Sequence, residues 1–182
     1  MKKNKEFDII VWGASGFTGR LVVAYLFQNY GIDGDIKWAM AGRNKQKLKQ
    51  VRLEVANNSL PIIIADGNNE ASLKDMVIRT KVICTTVGPY AIYGSKLVSS
   101  CVKNGTDYCD LSGEVPWMRK MIDQHHETAK INKVKIVHAC GFDSIPSDMG
   151  VYFTQRESKT QTCQLANKIQ MRVTGIKGGI SG

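Results

Sequence analysis

No apolar run in the sequence approaches the ~20 residues that a membrane helix requires. The longest, such as residues 21–27 and 62–65, fall far short, and no bilayer span is expected. No apolar segment follows the basic residues at the start either, because Asp8 and the glycines from Gly13 interrupt it. A signal peptide is therefore not expected. Among five cysteines (Cys84, Cys101, Cys109, Cys140, Cys163) there is no Cys-x-x-Cys, and no histidine stands at ligand spacing. That pattern argues against a disulfide framework and against a zinc site, so no metal is expected and the natural location is a reducing cytoplasm. Acidic residues are scarce, 16 against 25 Lys+Arg, for a net charge of +9 over 182 residues. The one local basic cluster, Arg43, Lys45, Lys47, Lys49 and Arg52, has no interleaved aromatics and no base-reading motif. Nucleic acid is thus not an expected partner. A solvated helix face or a phosphorylated small molecule remains. There are no internal repeats and no low-complexity tracts. With 43 % apolar and 23 % charged residues, the chain is globular and can bury a sizeable core.

What is present is alternation. Short apolar runs at 7–12, 36–41, 60–65, 82–87, 106–110 and 134–139 each end near Gly, Asp or Thr, as buried strands do. Between them lie helical patterns at 17–30, 44–57, 71–79, 94–104 and 114–132. Parallel strands can be joined only through such crossovers. The fold class expected is α/β, a doubly wound parallel-sheet Rossmann domain over 1–150. Beyond Gly150 the pattern changes: 152–159 extends a helix, 160–166 is polar, and 168–174 reads as a strand before a loop-like end at 178–182. Residues 151–182 are expected to begin a second, α+β substrate domain of which this sequence holds only the start.

Gly13-Ala-Ser-Gly16-Phe-Thr-Gly19 lies between the first strand and the first helix, where a dinucleotide loop belongs. Gly13 permits the tight turn, Gly16 lets the backbone approach a pyrophosphate, and Gly19 lets the helix pack close to the strand. The helix N-terminus, including Phe17, offers free N–H groups to the anion, and Ser15 and Thr18 can add hydroxyls. At the end of the second strand, where Asp or Glu would bond a ribose 2′-hydroxyl, stand Gly42-Arg43-Asn44. Arg43 cannot accept such a bond, but its guanidinium suits a 2′-phosphate. NADP(H) is therefore expected over NAD(H). Topology adds Asp66 near the adenine and Thr86, Val87, Gly88 and Pro89 near the nicotinamide ribose, since ligands lie beyond the carboxyl ends of the strands.

Other chemistries sharing this loop are less well matched. A short-chain dehydrogenase needs Tyr and Lys four apart, and no tyrosine here has Lys at that offset. A semialdehyde-type enzyme needs a cysteine nucleophile, for which Cys140 is the candidate, with His138 two residues before it. From a different class, the chain could be a non-catalytic module that senses NADP(H) or docks a partner.

The loops taken together, Gly13-Ala-Ser-Gly-Phe-Thr-Gly19, Ala41-Gly-Arg-Asn44, Val87-Gly-Pro-Tyr90 with Tyr93-Gly94, Tyr108-Cys-Asp-Leu-Ser-Gly-Glu114 and Gly141-Phe-Asp-Ser-Ile-Pro-Ser-Asp148, resemble the saccharopine dehydrogenase-like oxidoreductases, the group that includes trans-acting enoyl reductases. The resemblance implies an NADP-binding domain followed by a larger substrate domain, and hydride transfer to or from a small-molecule substrate. It sets Asp143 near the hydride-transfer site. Ser144 after that aspartate departs from the Gly-Leu-Asp-Pro-Gly form of true saccharopine reductases, which opens the substrate class to enoyl-lipid or imine compounds. Tyr90, a phenol after the fourth strand, is the second catalytic candidate. Homodimerisation is left open.

Overall fold

The computed structural model describes residues 5–55 and 59–175. Six strands alternate with helices: β1 (Phe7–Trp12), α1 (Phe17–Tyr30), β2 (Trp38–Gly42), α2 (Lys45–Val55), β3 (Ile62–Ile64), α3 (Glu70–Val77) and β4 (Thr80–Thr85). There follow α4 (Tyr90–Tyr93), α5 (Ser95–Asn104), β5 (Asp107–Cys109), α6 (Val115–Ile131), β6 (Ile136–Val137) and α7 (Ile145–Thr162). All strand pairs are parallel, in the order β3-β2-β1-β4-β5-β6. This is the doubly wound sheet that the alternation demands, with the order reversing between β1 and β4.

Side chains of period two divide the sheet into two apolar faces. On one, Val11 and Met40 meet Val23 and Leu26 of α1 and Leu48 and Val51 of α2. On the other, Ile10, Ala39, Ile83 and Tyr108 meet Leu73 of α3, Leu97 and Val98 of α5 and Met121 of α6. Ile10, Leu48 and Leu73 are completely buried, each contributing roughly 1.5–3 kcal/mol relative to exposure. Two continuous cores therefore clamp the sheet, and its carboxyl rim is left to the loops.

Besides the short α4, which the sequence reading did not include, and β6, which keeps two of the six residues expected at 134–139, three segments differ from the sequence reading. β4 runs Thr80–Thr85 rather than 82–87, because Thr80 pairs with Phe7 while Thr86 turns its N–H to the Trp12 carbonyl (3.0 Å). The strand expected at 168–174 does not form. Its alternating Met171 and Val173 are both 66 % exposed and find no strand to pair with among the described residues. α7 begins seven residues earlier than expected, with Pro146 in its first turn, and runs unbroken through Gly150. None of its residues is buried. The end of the second helix, expected at Asn57, and the expected loop at 178–182 lie outside the described residues.

Candidate functional site

β1 ends against a loop that only glycine can make. Gly13 has φ +89°, and a Cβ there would stand 2.5 Å from Val87 Cγ2. Gly19 lies in the first turn of α1, where a Cβ would stand 2.1 Å from the Gly13 carbonyl oxygen. The helix thus rests directly on the loop backbone. Gly16 is the N-cap, with no side-chain cap and no acidic residue in the first turn. The first intrahelical bond is donated by Arg20 to the Gly16 carbonyl (3.0 Å), which leaves the N–H groups of Phe17, Thr18 and Gly19 without helical partners. An uncapped positive helix end on a glycine cradle is a fit for a pyrophosphate.

A cavity of about 340 Å³ opens on this loop. Gly13, Ser15 and Gly16 form one wall, Gly42 and Arg43 the end of β2, Asp66 to Asn68 the end of β3, and Thr86, Val87, Gly88 and Tyr93 the end of β4. Eight residues proposed from sequence thus converge: Gly13, Ser15, Gly16, Arg43, Asp66, Thr86, Val87 and Gly88. A shallower adjoining hollow adds Asn44 beside Arg43 and Asp66. Asn44 also starts α2, its Oδ1 accepting the Lys47 N–H (3.0 Å). Asp66 folds its own turn, Oδ1 accepting the Asn68 N–H (2.9 Å). Thr86 lies over the loop, its hydroxyl 3.4 Å from the carbonyls of Trp12 and Gly13. Phe17, 79 % exposed, half-buried Thr18, buried Gly19 and exposed Pro89 flank the cavity without lining it.

Tyr90 and Asp143 lie elsewhere on the rim. Tyr90 is 4 % exposed, its ring packed on Trp117 (centroids 5.4 Å apart). Its hydroxyl donates to the Thr85 carbonyl (3.3 Å) and accepts from the Leu111 N–H (3.4 Å). Burial pushes the phenol up to about 12. The structure therefore places Tyr90 in the core, and Tyr93, one turn on, at the cavity. Asp143 is exposed in the turn between β6 and α7. It does not cap that helix, whose N-cap is Ser144 with no side-chain cap bond.

The sequence reading missed a buried carboxylate that ties the rim together. Asp110, 2 % exposed, takes the Tyr108 hydroxyl (2.8 Å) and His138 Nδ1 (2.7 Å) on Oδ2. Its Oδ1 takes the N–H groups of Ser112 (3.0 Å) and Ala139 (3.1 Å). Burial alone would raise its pKa, but the bonds from His138, Ser112 and Tyr108 outweigh burial and hold it below the usual carboxylate range. Glu114 adds a second clamp, its carboxylate accepting the N–H groups of Tyr90 (2.6 Å) and Ala91 (2.8 Å). His138 is thus committed to Asp110, and the Cys140 thiol turns to the carbonyls of Val137 (3.6 Å) and His138 (3.8 Å). Burial raises that thiol's pKa. A Cys140–His138 nucleophile pair is not formed.

Residues 9–137 match the family model for the saccharopine dehydrogenase NADP binding domain. A protein of Mycobacterium tuberculosis provisionally named a trans-acting enoyl reductase is 42 % identical over 98 % of this chain and 42 % of its own length. The trans-acting enoyl reductase of Mycobacterium ulcerans is 44 % identical over 85 % of this chain and 37 % of its own length. The chain therefore spans about two fifths of these relatives. Among solved structures, saccharopine dehydrogenase (L-Glu forming) from Saccharomyces cerevisiae superposes with TM-score 0.62 at 18 % identity, over 81 % of this chain and 32 % of that one. The Citrobacter sp. triphenylmethane reductase complexed with NADP(H) gives 0.56 at 13 % identity, over 83 % and 56 %. Those two likenesses are of fold. The extent of the family match and the identity to the mycobacterial proteins go further: the chain belongs to the saccharopine dehydrogenase NADP binding domain family.

Proposed function

We propose that this chain is the NADP(H)-binding part of an oxidoreductase that passes hydride to or from an enoyl or imine-like small molecule. One observation carries the reading: the uncapped α1 N-terminus on its glycine cradle shares a cavity with Arg43, at a β2 end that has no carboxylate. The N–H groups of α1 and the hydroxyls of Ser15 and Thr18 would hold the pyrophosphate. Arg43, with Asn44, would hold the 2′-phosphate, a role that Asp or Glu would fill toward a 2′-hydroxyl. Asp66 would face the adenine, and Thr86, Val87, Gly88 and Pro89 the nicotinamide ribose. When bound, NADPH supplies a hydride. The protein's contribution is orientation and exclusion of water around the acceptor carbon.

Asp143 is the proposed polar group at the reacting end, supported by its exposure in the loop after β6 on the same carboxyl rim. Tyr90 acts as a positioning residue, holding the Thr85 and Leu111 backbones. The names of the mycobacterial relatives support the enoyl class. Their greater length supports a substrate domain that begins within α7 at residue 151, where exposed Tyr152 and Phe153 would join its core. The odd set of free cysteines favours a reducing cytoplasm. Among the described residues no helix is long and apolar enough to cross a membrane.

Titration with NADPH and NADH, wild type against Arg43→Ala, tests the reading. Losing charge-assisted bonds to a phosphate costs about 1.5–3 kcal/mol, or roughly ten- to a hundredfold in affinity. NADPH affinity should fall by that factor while NADH affinity stays within about twofold. Equal affinities for both nucleotides in the wild type would reject the 2′-phosphate assignment.

A further inference from the structure

Among the described residues, no helix packs closely over one half of the first sheet face. α1 and α2 cover β1, β2 and β3 there, whereas the β4, β5 and β6 residues that continue this face, Cys84, Cys109 and Val137, are half-buried or exposed. Cys84 and Cys109 are register partners on adjacent parallel strands. Their side chains leave the sheet on one face, and each thiol shifts the ionisation of the other. Neighbouring strands run about 4.8 Å apart, within the roughly 4.4–6.8 Å between Cα atoms that a disulfide spans. The remaining cysteines do not compete for this pairing. Cys101 is fully buried against the other face in α5, and Cys163 is the C-cap of α7. The Cys140 sulfur is held at the Val137 carbonyl, one strand further out.

We propose that Cys84 and Cys109 form a dithiol modification site that closes to an intramolecular disulfide by exchange with a low-molecular-weight disulfide. The Cys84 thiolate attacks one sulfur of the small disulfide, forming a mixed disulfide and expelling one small thiolate. Cys109 then attacks the Cys84 sulfur, expelling the second small thiolate, which takes up the Cys109 proton. One small disulfide is reduced to two thiols as two protein thiols are oxidised. The division of labour follows from this pairing: the Cys109 thiol lowers the Cys84 pKa, while the Cys84 thiol and burial raise that of Cys109. The oxidised form would be a transient state in a reducing compartment.

The test is incubation of the folded chain with glutathione disulfide, followed by intact mass and peptide mapping under non-reducing conditions. The expected product has lost two hydrogens with no glutathione attached, and carries a Cys84–Cys109 link that dithiothreitol reverses. Cys140→Ser combined with Cys163→Ser should form the same link. Cys109→Ser should stop at a glutathione adduct on Cys84. A chain that keeps both thiols, carries only adducts at Cys140 or Cys163, or links Cys109 to Cys140 overturns the proposal. Wild-type mapping reports each of these outcomes even if a serine variant fails to fold.

Discussion

Gly19→Ala sets two opposed effects against each other, and the structure says which should win. Alanine in a helix is favoured over glycine by about 1 kcal/mol. At position 19 the added Cβ would stand 2.1 Å from the Gly13 carbonyl oxygen, 2.8 Å from its carbon and 2.9 Å from Ala14 Cα. All three are backbone atoms of a loop anchored by the Gly13 and Ala14 N–H groups on the Ala41 carbonyl (3.0 and 3.2 Å). No side chain can swing away, so α1 must retreat by roughly 1 Å to reach ordinary contact distance. Overpacking of this kind costs typically 1–3 kcal/mol, and the retreat also loosens Val23 and Leu26 on the sheet. Net destabilisation of up to about 2 kcal/mol is expected after the helix gain is subtracted. Urea denaturation should show it as a lower midpoint at unchanged slope. NADPH titration should show at least tenfold weaker binding, because the shifted helix takes its N–H groups with it. A variant as stable as wild type with unchanged NADPH affinity would refute the account of α1 resting on the loop backbone.

Asp110→Ala leaves His138 Nδ1, the Tyr108 hydroxyl and two loop N–H groups without their acceptor, and should cost about 3–5 kcal/mol in chemical denaturation. The same carboxylate sets an acid limit. Its pKa is lower folded than unfolded, so its contribution is complete above the unfolded value of about 4 and is lost as pH falls through the folded one. Denaturation midpoints should therefore drop below about pH 4, and Asp110→Asn should flatten that part of the profile. Glu114→Ala removes the acceptor of two backbone N–H groups at the start of α4. It should cost about 1.5–3 kcal/mol and weaken NADPH binding, since α4 carries Tyr93 into the cavity. Gly94→Ala would set a Cβ 2.5 Å from Trp117 Cζ2 and 2.8 Å from the Tyr90 carbonyl; a changed tryptophan emission spectrum and a lower melting temperature are expected.

The sheet and the first half of the site were legible because their causes are local. Each strand is a short apolar run closed by a turn residue, and the glycine loop is fixed by one positive φ and two close approaches within seven residues. Arg43 was legible for the same reason, as the residue after a strand that ends in Gly42. Tyr90 shows where local reading stops. Without the short α4 turn, Tyr90 and Tyr93 are two phenols in one loop; with it, the first points into the core and the second into the cavity. The Asp110–His138 pair was hidden by distance in sequence, since it exists only because β5 and β6 lie in register, with Cys109 beside Val137. The pattern at 168–174 failed in the opposite sense, as strand-like alternation that has no neighbour among the described residues to complete its hydrogen bonds.

The two halves of the carboxyl rim handle their backbone N–H groups in contrary ways, and this decides where an anion can be held. At the β1 end the first turn of α1 has neither a side-chain cap nor an acidic residue, so donors and partial positive charge are left for a ligand. At the other half of the rim four donors are taken by carboxylates: Asp110 accepts from Ser112 after β5 and Ala139 after β6, and Glu114 accepts from Tyr90 and Ala91 at the start of α4. A second phosphate-like group would meet two carboxylates there instead of free N–H groups. Ser112 links the two clamps, its N–H donating to Asp110 and its hydroxyl accepting the Glu114 N–H (3.1 Å). The loop after β5, the start of α4 and the loop after β6 are thereby joined into one unit beside the cavity. Charge recognition is confined to the half of the rim with Arg43 and the glycine loop. The other half is a braced, anion-repelling wall, suited to an uncharged reacting group held in fixed orientation.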